Sequence, residues 1–353
     1  MEKINSEMIV LAREARGYTQ IELAELLGIA QGTLSKIEKG IQSPSEEFMT
    51  SICSKLSYPR SFFEQNDKVY TPDLIYYRKR MSAPRKQILR AEATMNVIRM
   101  NLDRLLKSVD IPDVNLVNWN VEEDGNPDDA AIFLRQKWNL PKGRIDNLTK
   151  HVESNGIIII GTELGVDKMD GISMFTTSNQ PIIFINANMP GDRQRLTLAH
   201  ELGHLVLHLG KKIGNERDEE KEAMLFAGEL LMPKSEFISR FESLDFNSLA
   251  NQKLYWLVSM GAILVRSKHL GLITDNQYQY LWKQMAIKGY KTREPYELNI
   301  VKEKPSLVNE LLEFHQKTLG FSKSELSIVL NISEKEIDNL YYPKDTNLRI
   351  IRF

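Results

Sequence analysis

The spacing of apolar positions divides the chain into a helical head, a mixed middle and a helical tail. Leu23, Ala24 and Leu27 fall on one face of a short helix that Thr19 can cap, and Gly28 supplies a turn. Ile29, Leu34 and Ile37 then hold a second helix against the first, which leaves Gln31, Gly32, Thr33, Ser35 and Lys36 facing outward. That is helix-turn-helix spacing. After Pro84 a longer stripe of Ile88, Met95, Ile98, Leu102 and Leu105 or Leu106 predicts a helix that packs along one side. Residues 110–127 are rich in turn formers and predict irregular chain, followed by a helix in DDAAIFLRQKWNLPKG that Pro141 and Gly143 stop.

The pattern then changes. GIIII (156–160), GISMF (171–175) and PIIFIN (181–186) are short β-branched or aromatic runs separated by Gly, Asn and Ser, and predict a small sheet. LTLAHELGHLVLH and DEEKEAMLFAGELLMP return to helical spacing, with Asp192 expected to cap the first of these helices. Residues 253–295 predict two more helices with a turn at Gly271, and place Trp256 and Trp282 in the core. In the tail, Ser322 or Ser324 can cap a helix bearing Leu326, Ile328, Val329 and Leu330, and Asn331 turns into a helix led by Ser333. This echoes the spacing of the head, but its second helix is acidic, which favours a docking or dimer element over a second reader of DNA. The predicted class is mainly α with a small β-sheet (α+β).

Chemistry enters at His200, Glu201 and His204. On an α-helix, residues four apart lie on one face, so both imidazoles can close on one Zn²⁺ while Glu201 reaches a bound water. Zn²⁺ lowers the pKa of that water from near 16 to roughly 7, and an adjacent carboxylate can take the proton as an amide carbonyl is attacked. A catalytic zinc site wants a third protein ligand, and the next helical run offers Glu219, Glu220 and Glu222. Spacing alone leaves the choice among them open. His208, one turn further, reads as a pocket-edge or buried histidine. An edge strand beside such a helix is a candidate shelf for an extended peptide.

HELGHLVLH and EKEAMLFAGELLMP resemble the ImmA/IrrE metallopeptidase family, which pairs HExxH with a glutamate in an E-x-x-A-(N/D)-x-F-A helix. The resemblance implies a zincin-like α+β domain, a third ligand at Glu220 with Glu222 as the alternative, and Glu201 as general base. Met224 stands where the family usually has Asn or Asp, a loss that could weaken metal binding roughly 10- to 100-fold. Residues 253–295 are similar to the closing part of longer members, with a W-x-V-S-x-x-A-(I/L) helix and a G-(W/Y)-x-x-x-E-P end, expected to shield the cleft.

Residues 1–57 resemble the lambda-repressor/Cro-like (XRE-type) family, which implies that Gln20 contacts phosphate and supports Gln31, the reader of a base. Thr33, Ser35 and Lys36 complete the implied DNA face. Against this, residues 1–60 carry seven Lys/Arg and eight Asp/Glu. The span from Arg78 to Lys107 instead carries nine Lys/Arg against two Asp/Glu, and reads as a connecting or dimerising helix whose charged face can also touch phosphate backbone.

Composition bounds these readings. The chain of 353 residues, 42% hydrophobic, exceeds one typical domain. No run approaches the roughly 18 apolar residues of a membrane span, and the start lacks an apolar signal region. Cys53 is the single cysteine, read as a small core residue in a reducing cytoplasm. The expected division is a helix-turn-helix domain (1–65), a basic connector (66–112), a peptidase core (113–235), a helical extension (236–300) and a helical element (301–353). The expected activity is that of a cytoplasmic DNA-binding regulator with Zn²⁺ as cofactor. Its expected partners are a double-stranded operator and a repressor-like protein substrate or the chain itself, as a homodimer without membrane contact. The competing expectation is a transcription factor whose zinc domain senses a ligand or metal.

Overall fold

The computed structural model describes residues 4–70, 83–163, 165–166, 169–208, 216–241, 245–296 and 300–342. The basic residues 78–80 of the connector lie outside them. Among the described residues the architecture is mainly helical with one three-stranded sheet.

The head comprises α1 (Ser6–Ala15), α2 (Gln20–Leu27), α3 (Gln31–Glu38), α4 (Glu46–Leu56) and α5 (Arg60–Glu64). Thr19 and Glu22 form a reciprocal capping box that starts α2, and Gly28 ends it at φ 66°, a left-handed turn that glycine adopts without steric cost. A connector helix, α6 (Arg85–Leu105), follows and buries Met95, Ile98, Leu102 and Leu105 along the predicted stripe. Much of its positive charge is spent internally. Arg99 is fully buried with Asp103 at 2.8 Å, Arg104 pairs with Asp67, and Lys86 reaches Glu22 of α2 at 2.6 Å.

The middle runs α7 (Pro127–Lys137), α8 (Leu148–Ser154), β1 (Ile158–Thr162), β2 (Gly171–Phe175) and β3 (Pro181–Asn186). It continues through α9 (Gly191–Leu207), α10 (Glu219–Leu231), α11 (Lys234–Ser239), α12 (Phe246–Trp256), α13 (Met260–His269) and α14 (Asp275–Ile287). Strand order is β1-β3-β2, with β1 parallel and β2 antiparallel to β3. Both faces of this sheet are buried, which explains its near-continuous isoleucine runs. Ile158, Ile160, Ile172, Met174, Ile182 and Phe184 face a core shared with the head, α6 and the tail. Ile159, Ile183 and Ile185 face a second core shared with α9, α10 and α13. The sheet is therefore the wall between two cores.

Asp192 does not cap α9. The cap position is Pro190, which makes no side-chain hydrogen bond, and Asp192 lies inside the first turn. Its carboxylate accepts from the fully buried Lys253 Nζ at 2.6 Å, and Lys253 also donates to Glu294 at 2.8 Å. Glu294, from the GYKTREP segment, further accepts from the backbone N–H of Met260 and Gly261 at the start of α13. The predicted closing segment thus ties down the first turn of α9 by way of one buried ammonium. Trp256 is fully buried.

The tail is α15 (Leu307–Lys317), α16 (Lys323–Leu330) and α17 (Glu334–Tyr341). Ser322 caps α16 through a box with Glu325, Asn331 turns at φ 55°, and Ser333 caps α17. It docks on the chain's own head and connector: Glu336 pairs with Arg16 at 2.7 Å, and Asn101 of α6 donates to the buried Tyr341 hydroxyl at 3.0 Å. Ile328, counted among its apolar positions, points to solvent at 69% exposure.

Candidate metal centre and nucleic-acid interface

His200, Glu201 and His204 lie on α9, and α10 crosses it at unusually close range because both helices present small residues. A Cβ added at Gly203 would sit 3.1 Å from the backbone of Ala223, itself fully buried. That contact brings Glu220, nearly one turn before Ala223, beside the histidine pair. The two Nε2 atoms are 3.0 Å apart, and the Glu220 oxygens lie 3.6 Å from His200 Nε2 and 3.5 Å from His204 Nε2. Bonds of roughly 2.0–2.2 Å at tetrahedral angles separate ligand atoms by about 3.3–3.5 Å, so the two nitrogens and one carboxylate fit a divalent ion with Zn²⁺ preferences. Hydrogen bonding from His200, then from His204, holds the Glu220 carboxyl far below the usual carboxylate range. At His204 burial works against the charged ring, but the Glu220 hydrogen bond and the nearby Glu201 charge outweigh it and raise its pKa.

Glu201 is buried under the edge strand β2. Ser173 Oγ donates to Glu201 Oε2 at 3.0 Å, and a Cβ on Gly171 would fall 2.9 Å from Glu201 Cγ and 2.6 Å from Thr197 Cγ2. Only a residue without a side chain lets the strand lie this close to the carboxylate. β2 pairs with β3 alone, so among the described residues its other edge is unpaired.

Glu222 is turned elsewhere. Its Oε2 lies 2.9 Å from His208 Nε2, and Arg217 grips the same carboxylate through Nη2 at 2.6 Å and Nε at 2.9 Å. His208 is buried, its pKa pushed down by burial to about 4, and its Nδ1 lies 2.9 Å from His204 Nδ1. Sequence reasoning missed this cluster, although His208 repeats the four-residue step that joins His200 to His204. Met224 is partly exposed, at 38%, and His200 Nδ1 is buried with no hydrogen-bond partner among the described residues.

On the head, the side chains form a chain of bonds. Arg13 Nε donates to buried Glu38 at 2.6 Å, Gln20 Nε2 donates to Glu38 at 2.6 Å, and Gln31 Nε2 donates to Gln20 Oε1 at 2.8 Å. The buried Arg13–Glu38 pair thereby fixes Gln20, and Gln20 fixes exposed Gln31 at the first turn of α3. Thr33 and Ser35 are half-buried and Lys36 is exposed. Next to this row, a cavity of ≈ 460 Å³ opens between the head and the start of α6, with Gln20 and Gln31 on one wall and Arg85 and Lys86 on the other.

No described helix is long and apolar enough to cross a membrane. Residues 9–63 match the family model described as helix-turn-helix, and residues 153–268 match the peptidase-family model described as the IrrE N-terminal-like domain. The second match spans the sheet, α9 and α10. No curated protein matches the chain. Its two matched parts, each carrying the side-chain arrangement just described, make this chain a fusion of an XRE-type helix-turn-helix head with an IrrE-like peptidase-family domain.

Proposed function

We propose that the chain is a DNA-binding regulator whose second domain is a zinc-dependent endopeptidase acting on a regulatory protein, either a partner repressor or the chain itself. The observation that carries the reading is the convergence of His200, His204 and Glu220 beside Glu201 and a strand edge unpaired among the described residues. Zn²⁺ held by those three residues would supply Lewis acidity at the scissile carbonyl. Glu201, oriented by Ser173, would accept a proton from the attacking water and pass it to the departing amine. The edge of β2 would hold the substrate backbone extended by main-chain pairing. Glu201→Gln should keep the metal and abolish chelator-sensitive cleavage of candidate repressors and of the chain itself; cleavage preserved in that variant would remove the mechanism.

For the head, Gln31 would read a base edge while Gln20 meets phosphate, with Thr33, Ser35 and Lys36 along the same face. The cavity beside Gln20 extends this face to the connector, and Arg85 and Lys86 are placed to meet the adjacent phosphates. A mixed-sequence duplex should bind with a salt dependence that loses about one to two units of slope in the Arg85→Ala, Lys86→Ala double variant. An unchanged slope would confine the interface to the head.

One observation favours a second reading. Among the described residues His200 Nδ1 lacks the outer partner that metal-bound histidines ordinarily have, which suits a sensor of metal or ligand with little turnover. Zinc-dependent DNA binding without any proteolysis would select it.

A further inference from the structure

We infer that His208 is a positioning residue: with the half-buried Glu222 and Arg217 it forms a relay that fixes the tautomer of His204 and so presents His204 Nε2 to the metal. The inference rests on the metal-site reading above. A neutral imidazole has one N–H and one lone pair, and a ring that ligates through Nε2 must carry its proton on Nδ1. His204 Nδ1 faces His208 Nδ1 at 2.9 Å, so one nitrogen donates and the other accepts.

The far end of the relay decides which. His208 Nε2 faces Glu222 Oε2 at 2.9 Å, and a carboxylate gripped by the two nitrogens of Arg217 is an acceptor only. His208 therefore keeps its proton on Nε2 and offers a lone pair at Nδ1. His204 must donate from Nδ1, which leaves its Nε2 lone pair directed at His200 and Glu220. The opposite arrangement would set a lone pair of His208 against the Glu222 carboxylate. With neutral rings, this is the one proton pattern that satisfies both links of the relay, and it leaves His204 Nε2 without a proton toward Glu220, where a metal ion would complete the contact.

The relay also accounts for where Glu222 points: it serves the site from outside while Glu220 serves it from within. Because His200 Nδ1 has no partner among the described residues, His204 is the histidine whose orientation they enforce. The competing role for the same atoms is a second metal site, since donor atoms of His204, His208 and Glu219 also lie within 4.8 Å of one another.

The test uses the full chain, stripped of metal and then titrated with Zn²⁺ against a chromophoric chelator. His208→Leu and Glu222→Gln should each weaken zinc binding about 10- to 100-fold, with one equivalent bound in the parent. In parallel, imidazole ¹⁵N spectra of the metal-free protein at about pH 8 should show His204 protonated on Nδ1, and a mixture of tautomers in Glu222→Gln. The second variant keeps the volume and removes the fixed acceptor, so it separates orientation from folding. Parent His204 protonated on Nε2, unchanged zinc affinity in both folded variants, or two equivalents in the parent that fall to one in His208→Leu would each overturn the relay. A parent that takes up no zinc yet shows the expected tautomer would sink the metal reading and leave the relay standing.

Discussion

At His204 the proposed metal ion would compete with a proton for one lone pair, and the surroundings set the terms. Its pKa lies above the ordinary histidine value of 6.5, while the Glu220 carboxyl lies below its ordinary 4.5. In the metal-free chain the raised histidine contributes stability that is complete below pH 6.5 and is lost as pH rises through its folded value. The lowered carboxyl contributes stability that is present above pH 4.5 and is lost as pH falls. Metal-free protein should therefore gain from this cluster most between pH 4.5 and a value somewhat above 6.5, and zinc should stabilise it most on the alkaline side. Thermal melts with and without chelator across that range check this; a zinc-induced shift that grows as pH falls would contradict it. Much of this centre was legible in the sequence, because two histidines and a glutamate at helical spacing belong to one element. The proposed third ligand was legible only as a choice of three glutamates, since neighbouring residues on a helix are separated by direction, which a second helix must define. His208 and Glu222 escaped because their meeting depends on how α9 crosses α10.

Helix boundaries show the same division between local and distant causes. The turn from α2 to α3 and the turn from α16 to α17 are both set by a serine or threonine cap and one left-handed residue, so both could be read directly. The start of α9 could not. Asp192 is a sensible local cap, but an ammonium 61 residues away claims it. Burial of Lys253 between Asp192 and Glu294 makes that cluster expensive to break. Lys253→Met would leave two carboxylates facing each other without a cation in the interior, a loss of about 3–5 kcal/mol. Urea denaturation should record it, with zinc affinity falling as the first turn of α9 loosens. A variant as stable as the parent would show that the triad is held together by packing alone.

For the molecule as a whole, one sheet belongs to two cores. Asp103 of α6 accepts from the Thr177 backbone N–H at 2.9 Å and from its hydroxyl at 2.6 Å, so the connector grips the turn between β2 and β3. The tail closes the same face, with α15 receiving Glu153 of α8 at the backbone N–H of Ser306 and Leu307, and α17 meeting Arg16 of the head. Removing residues 301–353 should uncover the apolar side of the sheet and free one face of the head. The truncated chain should melt earlier and in two steps where the full chain melts in one, as calorimetry would show; a single unshifted transition would mean that the tail is dispensable.

The isoleucine runs of β1 and β3, with side chains alternating between two cores, have a consequence for inheritance and for engineering. A recognition head transplanted from another regulator would arrive without the side chains that pack on α6, which shares one core with Ile158, Ile160 and Phe184, and the graft should aggregate unless α6 travels with it. Swaps of operator preference in such proteins should therefore accumulate as point changes on α3 more readily than by exchange of whole modules.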